Sequence, residues 1–97
     1  MSKVNIANPI IIGRLTSEPV FSCRGSDKIV TFKLVANTDN VSYSKEYNII
    51  SRGKQASVCN RYLKVGTLCC IEGRYNSSGD SIIAERVTFL SKVYSKY

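Results

Sequence analysis

One stretch of this sequence, Gln55 to Val65, carries its apolar residues at helical spacing, as Ala56, Cys59, Tyr62 and Leu63, and Gly66 follows at a left-handed cap position. The spacing predicts a single helix. Every other apolar run is short or alternates, so whatever forms must fold strands around that one helix. Ile10, Ile11 and Ile12 run into Gly13-Arg14-Leu15-Thr16 and stop at Glu18-Pro19, which predicts a first strand. Gly25-Ser26-Asp27 punctuates the chain. Val30, Phe32, Leu34 and Ala36 then alternate with Thr31, Lys33, Val35 and Asn37, a half-buried second strand. Thr38 to Lys45 is polar and reads as a loop with one exposed aromatic, Tyr43, before a third strand from Glu46 to Arg52.

After the helix, Cys69, Ile71, Gly73 and Tyr75 alternate with Leu68, Cys70, Glu72 and Arg74 in a fourth strand. A turn cluster, Asn76-Ser77-Ser78-Gly79-Asp80, leads to a fifth from Ile82 to Leu90 that contains Ile83, Val87 and Phe89. The order β-β-β-α-β-β is that of the mainly β, five-stranded OB barrel, in which the helix plugs one end. Ninety-seven residues allow one small domain over 1–97, with a core of about 8–90 and a basic tail at 91–97. A multi-domain enzyme is excluded.

Composition narrows the chemistry. The chain has no His, which removes the commonest general base and zinc ligand, so no catalytic residues are nominated and no enzyme is expected. Four cysteines, Cys23, Cys59, Cys69 and Cys70, contain no C-x-x-C pair, and the adjacent two point to opposite faces of a strand. Cys59 and Cys69 fall in apolar patterns, as small buried hydrophobes would, which suits reduced thiols in a cytosol, and no metal or cofactor is expected. The apolar run from Pro9 to Ile12 is too brief for a signal peptide or a membrane span, so the chain is expected to stay in the cytoplasm. A net charge of +7 on so small a surface favours a polyanionic partner. That charge is uneven: +5 over residues 51–97 against +2 over residues 1–50.

Local segments carry a resemblance. Ile11-Ile12-Gly13-Arg14-Leu15-Thr16 with Pro19, Phe32-Lys33-Leu34, Gly53-Lys54-Gln55-Ala56, Tyr62-Leu63-Lys64-Val65-Gly66 and Ile71-Glu72-Gly73-Arg74 recur in order and spacing, and extend through Ala84-Glu85 with Val87, Phe89 and Leu90. Over roughly residues 8–90 the chain resembles bacterial single-stranded DNA-binding proteins. The resemblance implies an OB fold, a homo-oligomer (tetramer or dimer), sequence-tolerant binding of single-stranded DNA, and a role in replication, recombination or repair in the bacterial nucleoid. Phe21, Phe32, Tyr62 and Phe89 match family core positions. The family's acidic tail, which recruits repair proteins, has no counterpart in Ser95-Lys96-Tyr97, as in a trimmed chain, a short primosomal-replication-protein-N-like relative, or a copy carried by a phage or other mobile element.

The family stacks bases on outward aromatics of the third strand, and here the sequence departs. Counting back from Gly53-Lys54, the outward set is Glu46, Asn48, Ile50 and Arg52, with Tyr47, Ile49 and Ser51 inward. A one-residue gap would instead make Tyr47 a stacking platform, and both registers are open on sequence alone. Tyr43 either stacks a base or idles on its loop. Arg14, Lys33, Arg52, Lys54 and Arg74 form the expected phosphate track, beside Asn48. Two rival readings use the same barrel: RNA binding, and a protein-contact role in which Leu68, Cys70 and Ile50 make a subunit or partner interface.

Overall fold

A computed structural model describes residues 8–36 and 45–90. The elements are β1 (Ile10–Leu15), β2 (Val20–Arg24), β3 (Asp27–Ala36), β4 (Glu46–Arg52), α1 (Lys54–Tyr62), β5 (Leu68–Tyr75) and β6 (Ile82–Phe89). Five of the strands close a barrel: β1 pairs with β3, β3 with β4, β4 with β6, β6 with β5, and β5 returns to β1. All pairings are antiparallel except β4–β6. The single helix lies in the connection between β4 and β5. This is the expected mainly β OB barrel.

Alternation builds the core. Ile11 and Leu15 of β1, Val30, Phe32 and Leu34 of β3, Ile49 of β4, Cys69 and Ile71 of β5, and Ile82 and Ala84 of β6 all turn inward. Ala56, Cys59 and Leu63 close one end from the helix side. Closing so small a barrel requires backbones to cross tightly. A Cβ at Gly13 would collide with the Val35 carbonyl oxygen, and one at Gly73 with that of Ile83. Gly13 can therefore pair with Ala36 on one side and Cys69 on the other.

Four details differ from the sequence reading. First, Val20–Arg24 is a strand in its own right, pairing with β3 outside the barrel wall. It resumes the edge that β1 leaves at Leu15, and the break is bridged where the Thr16 N–H donates to the Lys33 carbonyl (3.0 Å) and the Lys33 N–H to Ser17 Oγ (3.1 Å). All five of its residues are exposed, so it lacks the alternation that announces a half-buried strand. Second, and for the same reason, Phe21 is not a core residue but 38% exposed; Tyr62 is 57% exposed at the helix end, its ring edge-on to Phe89.

Third, the helix stops at Tyr62 because Leu63 is extended and buries its side chain in the barrel. Gly66 does not cap it. That glycine, at φ 93°, serves a later turn in which the Thr67 N–H donates to the Lys64 carbonyl (2.9 Å). Fourth, β6 carries a bulge: Glu72 faces Arg86 while Gly73 faces Ala84, leaving Glu85 as the extra residue. The inward set therefore switches from Ile82 and Ala84 to Val87 and Phe89, and Ile83 turns outward.

Gln55 repairs that bulge. From the first turn of α1 its Nε2 donates to the Ala84 carbonyl (3.2 Å) and to Ser51 Oγ (3.0 Å), while its Oε1 accepts the Val87 N–H (3.1 Å). Ladder groups freed by the extra residue, and a fully buried serine hydroxyl, are thus satisfied by one side chain.

Candidate nucleic-acid interface

The inward positions of β3 and β4 dictate what their outer face presents. With Val30, Phe32 and Leu34 buried on β3, and Ile49 and Ser51 buried on β4, the outward residues are Ile29, Thr31 and Lys33 against Arg52, Ile50 and Asn48. This is the ungapped register. Tyr47 pairs with Leu34 and packs half-buried against the core, with the Lys45 ammonium 5.0 Å from its ring centre.

One row of outward side chains crosses five strands: Arg74 of β5, Ile83 of β6, Ile50 of β4, Thr31 of β3 and Val20 of β2. Its middle is aliphatic. The neighbouring row holds Lys33 opposite Asn48 on one side, and Ile29 opposite Arg52 on the other. A shallow groove of about 410 Å³ lies over this floor, bordered by Val20, Thr31, Lys33, Asn48 and Ile50. The result is a largely aliphatic floor with Lys33 and Glu18 at the groove's rim and Arg52 and Arg74 further along the face.

The expected site residues distribute unevenly around it. Lys33, Asn48 and Arg52 stand together on the β3–β4 face, and Lys54 follows at the exposed start of α1. Arg74 borders the same face, in an exposed ion pair with Glu85 at 3.6 Å, a pairing of small worth that a phosphate could displace. Arg14 stands apart from this group: on the outer side of β1 its Nη1 donates to the Gly66 carbonyl (3.0 Å), which turns the guanidinium to the 64–67 turn. Tyr43 lies outside the described residues.

Asn48 also ties the face to the β5–β6 hairpin, its Nδ2 donating to the Asp80 carbonyl (3.3 Å). At that tip the Asp80 carboxylate accepts from Ser78 Oγ (2.8 Å) and Asn76 Nδ2 (3.1 Å), and these bonds, Ser78 first, hold it below the usual carboxylate range. The hairpin is thereby a fixed wall beside a second groove, bordered by Lys45, Tyr47, Asn48 and Tyr75.

Arg24, Lys28, Val20 and Ile83 border the face or its ends and were missed with β2 and the bulge. A signal for the first three existed. Gly25-Ser26 is a two-residue loop closing the β2–β3 hairpin, with Arg24 opposite Asp27 and Gly25 at φ 60°, and a Gly-Ser step between two runs is a hairpin pattern. Among the described residues no three of Cys, Asp and Glu lie close enough to hold a metal ion. No helix there is long and apolar enough to cross a membrane.

A closed five-stranded barrel with a cationic sheet face defines the class: an OB-fold protein with a surface suited to a nucleic acid. The chain belongs to the single-strand binding protein family, whose sequence profile matches residues 6–89. Similar solved structures include a small single-stranded DNA-binding protein from Streptomyces coelicolor (17% identity, TM-score 0.77, covering 90% of this chain and 95% of that one). The second single-stranded DNA-binding protein of Mycobacterium smegmatis is alike (16%, 0.77, 92% and 98%). So is the SSB domain of a Synechococcus protein (10%, 0.76, 90% and 99%). A search of curated protein sequences finds no significant match.

Proposed function

We propose that this chain binds single-stranded DNA with little sequence preference, as a non-enzymatic member of its family, in bacterial replication, recombination or repair. The observation that carries the reading is the β3–β4 face: Lys33 and Arg52 flank an aliphatic floor, with Lys54 and Arg74 at its margins. Phosphates neutralised at the rim release counterions, while bases and sugars lie on Ile50, Ile83 and Val20. The aliphatic floor of Ile83, Ile50 and Val20 offers no hydrogen-bonding group to a base edge, which suits sequence-tolerant binding. Tyr47, half-buried, and Tyr75, exposed, border the hairpin groove and offer ring edges to a strand leaving the face.

Assembly belongs to the same reading. On the opposite side of the barrel Ile10 (65% exposed) and Ile12 (45%) stand beside Cys70 and the half-buried Leu68. Apolar surface of that kind suits burial against a second copy, as a dimer or tetramer. Leu68 and Cys70 thus serve assembly while Ile50 belongs to the binding floor, so the interface and the DNA face occupy different sides.

The test is a titration of fluorescently labelled oligo(dT) by anisotropy, with the unaltered protein and with Lys33→Glu/Arg52→Glu. The double variant should lose binding severely while keeping its circular dichroism spectrum, because both side chains point away from the core. Equal affinity of the two proteins would contradict the assignment of this face.

A further inference from the structure

We propose that Arg24 and Arg52 form a phosphate clamp at the β2–β3 hairpin, which grips one backbone phosphate of the strand lying on the β3–β4 face. The inference rests on the single-stranded DNA reading and adds Arg24 to the expected phosphate track.

Arg24 and Arg52 both project from the outer side of the sheet, on either flank of β3, opposite Asp27 and Ile29 respectively. Between them lies a cleft of about 250 Å³, bordered also by Ser26 and Lys28. The cleft opens to solvent and has room for a phosphate group beside the two guanidiniums. Two outward arginines and one carboxylate, Asp27, border it, Lys28 contributing backbone, and among the described residues the one ion pair is Arg74–Glu85, remote from the cleft. Two guanidiniums with a single carboxylate leave the cleft net positive, and an incoming anion relieves the remaining repulsion.

The cleft is also held in shape. The Gly53 N–H donates to the Lys28 carbonyl (2.9 Å), locking the residue after Arg52 to the base of the hairpin, and the two-residue Gly25-Ser26 loop leaves Arg24 little freedom of position. No aromatic side chain borders the cleft, which suits it to a phosphate and not to a base. Because it lies at the Arg52 end of the β3–β4 ladder, a strand running along the face reaches it with its terminal contact. The Arg24 guanidinium can grip two phosphate oxygens at once, as a lysine cannot.

The experiment compares the unaltered protein with Arg24→Gln, and with Arg24→Lys, by anisotropy on labelled oligo(dT) from 50 mM to 500 mM salt. Loss of one phosphate contact predicts about eightfold weaker binding at 50 mM and a logarithmic salt slope shallower by about 0.7, with the difference shrinking as salt rises. Arg24→Lys should keep the slope, and thermal unfolding should be unchanged, since these side chains are exposed. If Arg24→Gln matches the unaltered protein in affinity and slope while Lys33→Glu/Arg52→Glu loses binding, the clamp is overturned and the face stands. If the unaltered protein fails to bind oligo(dT) even at 50 mM, both fall together.

Discussion

Burial governs the chemistry of the cysteines. Cys69 is fully buried, and its thiol is pushed from an ordinary 9.0 up to about 12, by burial first and then by the neighbouring Cys59 and Cys70. Burial also raises the Cys59 thiol, against an opposing hydrogen bond with Ser51. The folded protein therefore keeps these protons to a higher pH than the unfolded chain does. Stability is fully present below about pH 9 and is lost as pH rises from there toward 12. Urea midpoints measured from pH 7 to 10.5 should fall beyond pH 9, and less steeply in Cys59→Ala/Cys69→Ala. An identical alkaline loss in both proteins would contradict the assignment. Exposed Cys23 should be alkylated at neutral pH while Cys59 and Cys69 resist.

At the scale of elements, the bulge in β6 depends on one side chain from another element. Gln55→Ala would strand the Ala84 carbonyl, the Val87 N–H and the Ser51 hydroxyl, which are partly or fully shielded from water. The expected cost is about 2 kcal/mol in denaturant unfolding, with faster amide exchange at Val87. A change under ~0.5 kcal/mol would show that water replaces the amide. Such a bulge is invisible in sequence, since it appears only as an alternation that slips phase between Ala84 and Val87. The barrel strands were legible because one face of each is buried: Val30, Phe32 and Leu34 set β3, and Ile49 and Ser51 set β4, which placed Lys33, Asn48 and Arg52 correctly outward. β2 was not legible because neither of its faces is buried, and with it went Arg24, Lys28 and the exposed position of Phe21. The helix end was misread because Leu63 keeps helical spacing while its backbone has already turned extended.

For the whole molecule, the proposed function assigns two tasks to different strands: β3–β4 carries cations beside an aliphatic floor for DNA, and β1–β5 exposes Ile10 and Ile12, proposed for assembly. Light scattering at tens of micromolar should report a dimer or tetramer, and Ile10→Glu/Ile12→Glu should reduce it to monomer with the barrel intact; a monomeric unaltered protein would contradict this division. The central claim is that affinity comes chiefly from charge, because the outer residues of β3 and β4, from Ile29 to Lys33 and from Asn48 to Arg52, include no aromatic. Four or five phosphate contacts predict a logarithmic slope near about −3 for single strands. The most direct measurement is the oligo(dT) affinity of the unaltered protein across a salt series. A slope near −3 is the predicted result, and binding that barely changes with salt would contradict the account by requiring a stacking platform that this face does not contain.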